Sequence, residues 1–147
     1  MKKDYYRDGR APVPLKESIS RAMSSNKARN TKPEIALRVL LWGECIKGYR
    51  LNWKNAPGKP DIAFPGRKIA IFVNGCFWHR CPYCKPSLPK THKRFWNQKF
   101  TRNAIRDKEN NIVLRKNGWK VLTIWECQIE KYPNKTVGRV KKLLLAK

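Results

Sequence analysis

Acidic side chains are scarce: ten Asp and Glu stand against 34 Lys and Arg in 147 residues, a formal charge of +24. The basic residues run along the whole chain, so it repels itself unless a polyanion shares the charge, and nucleic acid is the partner that fits. A basic protein that binds nothing in particular is the plainer alternative. A membrane surface is disfavoured, because no basic amphipathic stretch stands alone. Long apolar runs are also missing. None approaches the ~20 residues of a membrane span, and the start MKKDYYRDGR lacks the apolar segment of a signal peptide. A cytoplasmic protein without membrane contact is expected. There is no internal repeat and no low-complexity segment, and only two histidines are present to carry proton chemistry. Cysteine is better supplied. In a reducing compartment five cysteines point to a metal rather than to disulfides.

With 41% hydrophobic and 11% aromatic residues, the chain can bury a core as one α/β domain. Residues 1–16 mix charges, tyrosines and two prolines without an apolar period, which predicts a flexible basic arm, disordered or ordered only on DNA. The domain is expected over 17–147, with a short helix around Ile19 to Met23. At TKPE (31–34) Thr31 can cap a helix, Pro33 suits its first turn and Glu34 falls three residues after the cap. That helix is expected to run to Lys47 and stop at Gly48. YRLNW, DIAF and KIAIFVN read as strands, the last two joined at Pro65-Gly66. Their near-continuous apolar character implies a sheet covered on both sides. A basic helix is predicted over Lys93 to Lys116 with its stop at Asn117-Gly118, then a buried strand WKVLTIWE and a last helix from about Thr136.

The densest chemistry lies in GKPDIAFPGRKIAIFVNGCFWHRCPYC, 58–84. Cys81 and Cys84 form a C-x-x-C pair, Cys76 lies five residues earlier and Cys127 follows the last strand. Four thiolates would close a tetrahedral structural zinc site. The plainer but less favoured reading makes Cys76 and Cys127 ordinary buried cysteines, and Cys45, on the expected helix, reads as core. Asp61 at the head of a strand is the leading Mg²⁺ ligand, since Mg²⁺ takes one or two carboxylates and fills its shell with water and phosphate; the bland reading is a loop aspartate beside proline. Glu34 is either a capping-box glutamate, an active-site carboxylate or both. Asn103, Asp107 and Asn110 fall on one helix face, so Asp107 can orient His79 and stabilise its protonated form, or else pair on the surface with Arg106. Phe77, Trp78 and Trp96 lie among Arg80, Lys93 and Arg94, a pattern suited to stacking on bases or wedging between them, with core packing as the alternative for any one ring.

Five ordered blocks resemble the very short patch repair endonucleases of bacteria over roughly Ser20 to Gln128: TKPE, GKPD, NGCFWHRCPYC, FW at 95–96 with Asn103 and Arg106-Asp107, and GWKVLTIWEC. The resemblance implies a restriction-endonuclease-like mixed central sheet flanked by helices, with a structural zinc. It implies Mg²⁺-dependent nicking of one strand beside the thymine of a T·G mismatch left by deamination of 5-methylcytosine. Asp61 then corresponds to the Mg²⁺ ligand with the backbone carbonyl of Val73, and Glu34 to the outer carboxylate. His79 and Asp107 correspond to the proton-transfer pair, Cys76, Cys81, Cys84 and Cys127 to the zinc ligands, and Phe77, Trp78 and Trp96 to the wedge. Asn103, Arg80 and Arg94 complete the expected DNA contacts. The partners so implied are double-stranded DNA and, after the nick, a repair polymerase or mismatch-repair proteins; one nick needs one site, so a monomer is expected.

One departure stands out. Where the family usually has a second histidine before the glycine of GCFWH, this chain has Asn74, which can donate a hydrogen bond to phosphate but cannot transfer a proton near neutral pH. Two alternatives follow: a restriction or defence endonuclease that needs no mismatch, and a catalytically impaired zinc-containing DNA-binding protein.

Overall fold

The computed structural model describes residues 29–146. The expected basic arm and the short helix near Ile19 lie outside them. In chain order the elements are α1 (Lys32–Gly43), β1 (Arg50–Leu51), β2 (Ile62–Phe64), β3 (Ile69–Asn74), α2 (Lys93–Lys116), β4 (Lys120–Trp125), α3 (Glu126–Lys131) and α4 (Pro133–Leu145). The sheet order is β1-β2-β3-β4, antiparallel between the first three and parallel between β3 and β4. This is the mixed α/β sheet expected.

Strand alternation divides the core in two. From β3, Ile69, Ile71 and Val73 face a cluster built with Leu37 and Leu41 of α1, Ile129 of α3 and Val140 of α4. Ala70 and Phe72 point the other way, to Leu114 of α2 with Trp53, Trp119 and Val121. The sheet is thus covered on both faces, as its apolar strands require. Two expectations shrink. YRLNW yields only the exposed two-residue β1, and β4 is buried only at Ile124 while its other residues are half-buried.

Helix α1 ends four residues earlier than Lys47, and Gly48 is not its stop. Cys45 takes the left-handed position (φ +56°) instead. Its N–H donates to Trp42 O at 3.0 Å and Ile46 N–H to Leu41 O at 2.9 Å, a Schellman closure that seats Ile46 on the core. Cys45 is therefore an exposed cap residue rather than core. Helix α2 closes the same way at the expected place, with Gly118 at φ +82° and Trp119 N–H on Leu114 O at 3.0 Å. A Cβ in the left-handed region costs roughly 1 kcal/mol. Cys45→Gly is accordingly expected to raise stability by about 0.5 to 1 kcal/mol in urea denaturation; an unchanged or lowered midpoint would mean that the thiol makes up the difference elsewhere.

Candidate active site

The C-terminal ends of β3 and β4 and the start of β2 meet at one edge of the sheet. They open into a cleft of about 1160 Å³ whose walls include Glu34, Asp61, Val73, Asn74, His79 and Asp107. Seven acidic residues occur in 29–146 (Glu34, Glu44, Asp61, Asp107, Glu109, Glu126, Glu130), and four of them, Glu34, Asp61, Asp107 and Glu126, line this cleft. Carboxylates facing a polyanion repel it unless a cation lies between them. In so basic a chain their convergence marks where a cation would do most.

Asp61 is pinned at both ends. Its carbonyl accepts Asn52 N–H at 3.1 Å, and its carboxylate accepts Val73 N–H across the β2–β3 pair at 2.7 Å. Burial pushes its pKa up from 3.8 to about 6, and nearby Glu34 adds to the rise; the Val73 hydrogen bond, His79 and Arg38 oppose it. A half-buried carboxylate whose charge is this poorly tolerated, beside the main chain of Val73, suits a divalent cation.

Linkage fixes the sign of a test. Because the folded carboxyl holds its proton more tightly than the unfolded one, the contribution of Asp61 to metal-free stability falls as pH rises from about 4 to about 6 and is flat above. Asp61→Asn keeps an acceptor for Val73 and removes the charge. In EDTA at pH 7.5 it should melt higher than the parent, by up to about 2 to 3 kcal/mol at roughly 1.4 kcal/mol per pKa unit. A lower melting temperature would contradict the burial cost.

Glu34 is not the glutamate of a capping box as expected: Thr31 makes no side-chain cap hydrogen bond, and the carboxylate reaches the residue before the cap instead. Only 6% exposed, it accepts Asn30 N–H at 2.9 Å and Thr31 Oγ1–H at 3.1 Å, closing the first turn of α1, while also lining the cleft. Arg38 braces the same turn, donating to Glu34 O at 3.4 Å and Asn30 Oδ1 at 2.8 Å.

His79 and Asp107 meet directly, Nδ1 to Oδ2 at 2.6 Å, and Arg106 Nη2 lies 3.7 Å from the other Asp107 oxygen. The expected pair and the surface alternative therefore coexist. With Nδ1 engaged by Asp107, Nε2 is the nitrogen left for a substrate. His79 is carried by a turn in which its N–H donates to Gly75 O at 3.2 Å.

The sulfurs of Cys76, Cys81, Cys84 and Cys127 all lie within 4.8 Å of one another. Cys81 and Cys127 Sγ are 3.7 Å apart, close to the ~3.8 Å edge of a tetrahedron with ~2.3 Å metal–sulfur bonds. Cys127 N–H donates to Cys76 Sγ at 3.3 Å. Burial pushes the Cys76 and Cys127 thiols up. Burial also acts on Cys81, but the N–H groups of Cys84 and Tyr83 together with the neighbouring Cys127 and Cys84 thiols outweigh it and hold that thiol down. The donors thus fit a metal that would supply the missing positive charge, and the reading of Cys76 and Cys127 as unrelated core cysteines does not hold.

The aromatic residues form one cluster. Phe77 contacts Trp78, Trp96 and Phe100 at ring distances of 5.2, 5.5 and 5.5 Å. Phe77 and Trp78 are half-buried, whereas Trp96 is 8% exposed and stacks on Phe100 at 5.7 Å. Trp96 thus sits beneath the other two. Arg80 lies over Phe77 and Phe100 and donates to Pro86 O and, at 3.3 Å, Ser87 O, so much of its hydrogen bonding is internal. Asn103 donates to Trp78 O at 3.3 Å, and Arg94 is exposed on the first turn of α2. Lys99, absent from the sequence-based candidates, places its ammonium 5.1 Å from the Trp78 ring. Glu126 was also missed, although its position after β4 in parallel register with β3 brings its carboxylate beside Gly75.

A mixed sheet flanked by helices, with an acidic cleft at the strand ends and four cysteines placed to hold a metal, is the architecture of the restriction-endonuclease-like class. Residues 13–85 match the family described as DNA mismatch endonuclease Vsr. The type II nicking enzyme V.NaeI of Lentzea aerocolonigenes is 42% identical over 123 residues, covering 80% of this chain and 73% of that protein. For the type II nicking enzyme V.XorIIP of Xanthomonas oryzae pv. oryzae the values are 38% over 107 residues, 73% and 78%. For the DNA mismatch endonuclease Vsr of Escherichia coli they are 34% over 119 residues, 81% and 76%. The chain belongs to the Vsr endonuclease family. Among the described residues no helix is long and apolar enough to cross a membrane.

Proposed function

We propose that this protein nicks one strand of duplex DNA beside the thymine of a T·G mismatch, with Mg²⁺ at Asp61 and Zn²⁺ on Cys76, Cys81, Cys84 and Cys127. The observation that carries the reading is the His79–Asp107 pair facing the same cleft as Asp61, next to the Phe77-Trp78 rim. Residues 17–147 would act as one domain and as a monomer, on nucleoid DNA in the cytoplasm. The nick would then pass to a repair polymerase or mismatch-repair proteins.

Asp61 and the Val73 carbonyl would hold Mg²⁺, which supplies charge stabilisation at the scissile phosphate and orients the attacking water. Glu34, fixed by Asn30 and Thr31, keeps a carboxylate in reach of that water. His79 moves a proton through Nε2, and Asp107 fixes its tautomer and orientation through Nδ1. Asn74 donates to a phosphate oxygen. Phe77 and Trp78 enter the stack beside the mismatch while Trp96 supports them from below, and Asn103, Arg80 and Arg94 flank the opening.

The test is nicking of a labelled duplex with a single T·G mismatch, in Mg²⁺ and in EDTA, beside a matched T·A control. Mismatch-dependent, EDTA-sensitive cutting of the T strand is expected. Since proton and metal compete for Asp61, whose pKa burial raises to about 6, the Mg²⁺ concentration for half-maximal rate should rise as pH falls through that value, approaching about tenfold per pH unit well below it; a Mg²⁺ requirement that stays flat from about pH 7.5 down to about 4.5 would rule Asp61 out as the ligand. A second reading is nicking without a mismatch. Relatives that carry the name type II nicking enzyme favour it, whereas Asn74, which cannot transfer a proton near neutral pH, favours a non-catalytic DNA-binding role instead. Equal cutting of both duplexes would select that reading, and binding without any cut would select a non-catalytic DNA-binding role.

A further inference from the structure

One stripe of α2 organises the cleft. Asn103 holds the Trp78 carbonyl, Asp107 holds His79, and Leu114 packs on Ala56 at the other end. Between them, Asn110 meets the Gly58-Lys59-Pro60-Asp61 loop. A Cβ at Gly58 would lie 2.9 Å from Asn110 Nδ2 and 3.1 Å from both its Cβ and Cγ. Such an approach leaves room for glycine alone.

The loop needs the support. Gly58 and Lys59 are consecutive left-handed residues, at φ +76° and +48°, and a non-glycine residue there is strained. Lys59 N–H donates to Ala56 O at 3.1 Å. Pro60 O and Asp61 O accept from Trp53 and Asn52 at 3.1 Å each, which ties the end of the loop to the segment after β1. Asn110 bears on its start and lines the same cleft.

We propose that Asn110 is a positioning residue for strand nicking: its side chain, packed on Gly58, sets the left-handed turn that delivers Asp61 to the head of β2. The inference rests on Asp61 as the Mg²⁺ ligand. Asn110 touches neither substrate nor metal in this scheme; it acts through the loop, as residues behind a ligand do, where substitution typically costs 10 to 100-fold in metal affinity.

The experiment measures melting temperature in EDTA, its rise on Mg²⁺ titration, affinity for a T·G duplex in EDTA, and nicking, for Asn110→Ala, Gly58→Ala and the double variant. Asn110→Ala should melt as the parent does in EDTA and bind DNA within about twofold. Its Mg²⁺ midpoint, read by melting and by nicking, should rise about tenfold. Gly58→Ala should be worse, since it adds the clash and the strain, and the double variant should recover part of that loss because Asn110→Ala removes the Nδ2 and Cγ contacts, leaving only the 3.1 Å approach to Cβ. An unchanged Mg²⁺ midpoint for Asn110→Ala, or strictly additive effects, would overturn the proposal. Weaker DNA binding with an unchanged midpoint would make Asn110 a DNA contact instead. Asp61→Ala controls the underlying reading: if it too keeps the Mg²⁺-dependent melting shift, the ligand assignment fails and not merely the role of Asn110.

Discussion

Asp61→Ala is expected to lower nicking by at least about 10³-fold while leaving affinity for a mismatched duplex within a few-fold. The asymmetry follows from where the carboxylate sits. It lies in the cleft at the head of β2, bonded to Val73 N–H, whereas the aromatic cluster and the exposed cations proposed to meet the duplex belong to other segments. Stabilising charge on the reacting phosphate is worth several kcal/mol, and roughly 1.4 kcal/mol is a tenfold change in rate, so loss of the metal ligand appears in the rate. Removing one acidic group from a cleft built for a polyanion would, if anything, strengthen binding in EDTA. Single-turnover nicking beside fluorescence anisotropy in EDTA separates the two quantities. Binding and cleavage falling together would make Asp61 a fold residue and return the metal site to Glu34 or Glu126.

The fold and cleft were legible in the sequence to different depths, for physical reasons. Helix periodicity put Asp107 on one face with Asn103 and Asn110, but its pairing with His79, 28 residues away, came from the family resemblance, with a surface pair to Arg106 left open. The end of α2 followed from Gly118, whose left-handed preference is intrinsic. The end of α1 did not. There Cys45 occupies the left-handed position, and what selects it is the burial of Ile46 against Leu41 and its neighbours, a tertiary gain that local propensity does not contain. Helix α3 was missed because ECQIEK is too short to display a period; it is fixed by Gln128 accepting Trp125 N–H at 3.1 Å and by Thr136 donating to Gln128 O at 3.0 Å. The contact of Asn110 with Gly58 and the approach of Glu126 to Gly75 join segments 52 and 51 residues apart. No local pattern carries such pairs.

Loss of the cysteine centre should be more drastic than loss of Asp61. Cys76 follows β3, Cys127 opens α3 directly after β4, and Cys81 and Cys84 close the turn that carries Phe77, Trp78 and His79. A metal there would join the ends of two parallel strands and fix Phe77, Trp78 and His79 in a segment with little other regular structure. Binding of a structural zinc contributes about 10 to 16 kcal/mol in small domains, as much as the whole stability of most folded proteins, about 5 to 15 kcal/mol. Cys81, 2% exposed, is the ligand whose replacement leaves least room for water to compensate. Cys81→Ser is therefore expected to abolish cooperative folding at 37 °C and zinc retention together, and a strong chelator should do the same to the parent protein. Cys45→Ser, at an exposed cap outside the cluster, should retain one zinc per chain, nick normally and melt within about 1 kcal/mol of the parent. Metal analysis with thermal melting of both variants decides it. A Cys81→Ser protein that folds cooperatively at the parent's melting temperature would mean that the four thiols are packed side chains, and that β3 and β4 hold the His79 turn without a metal.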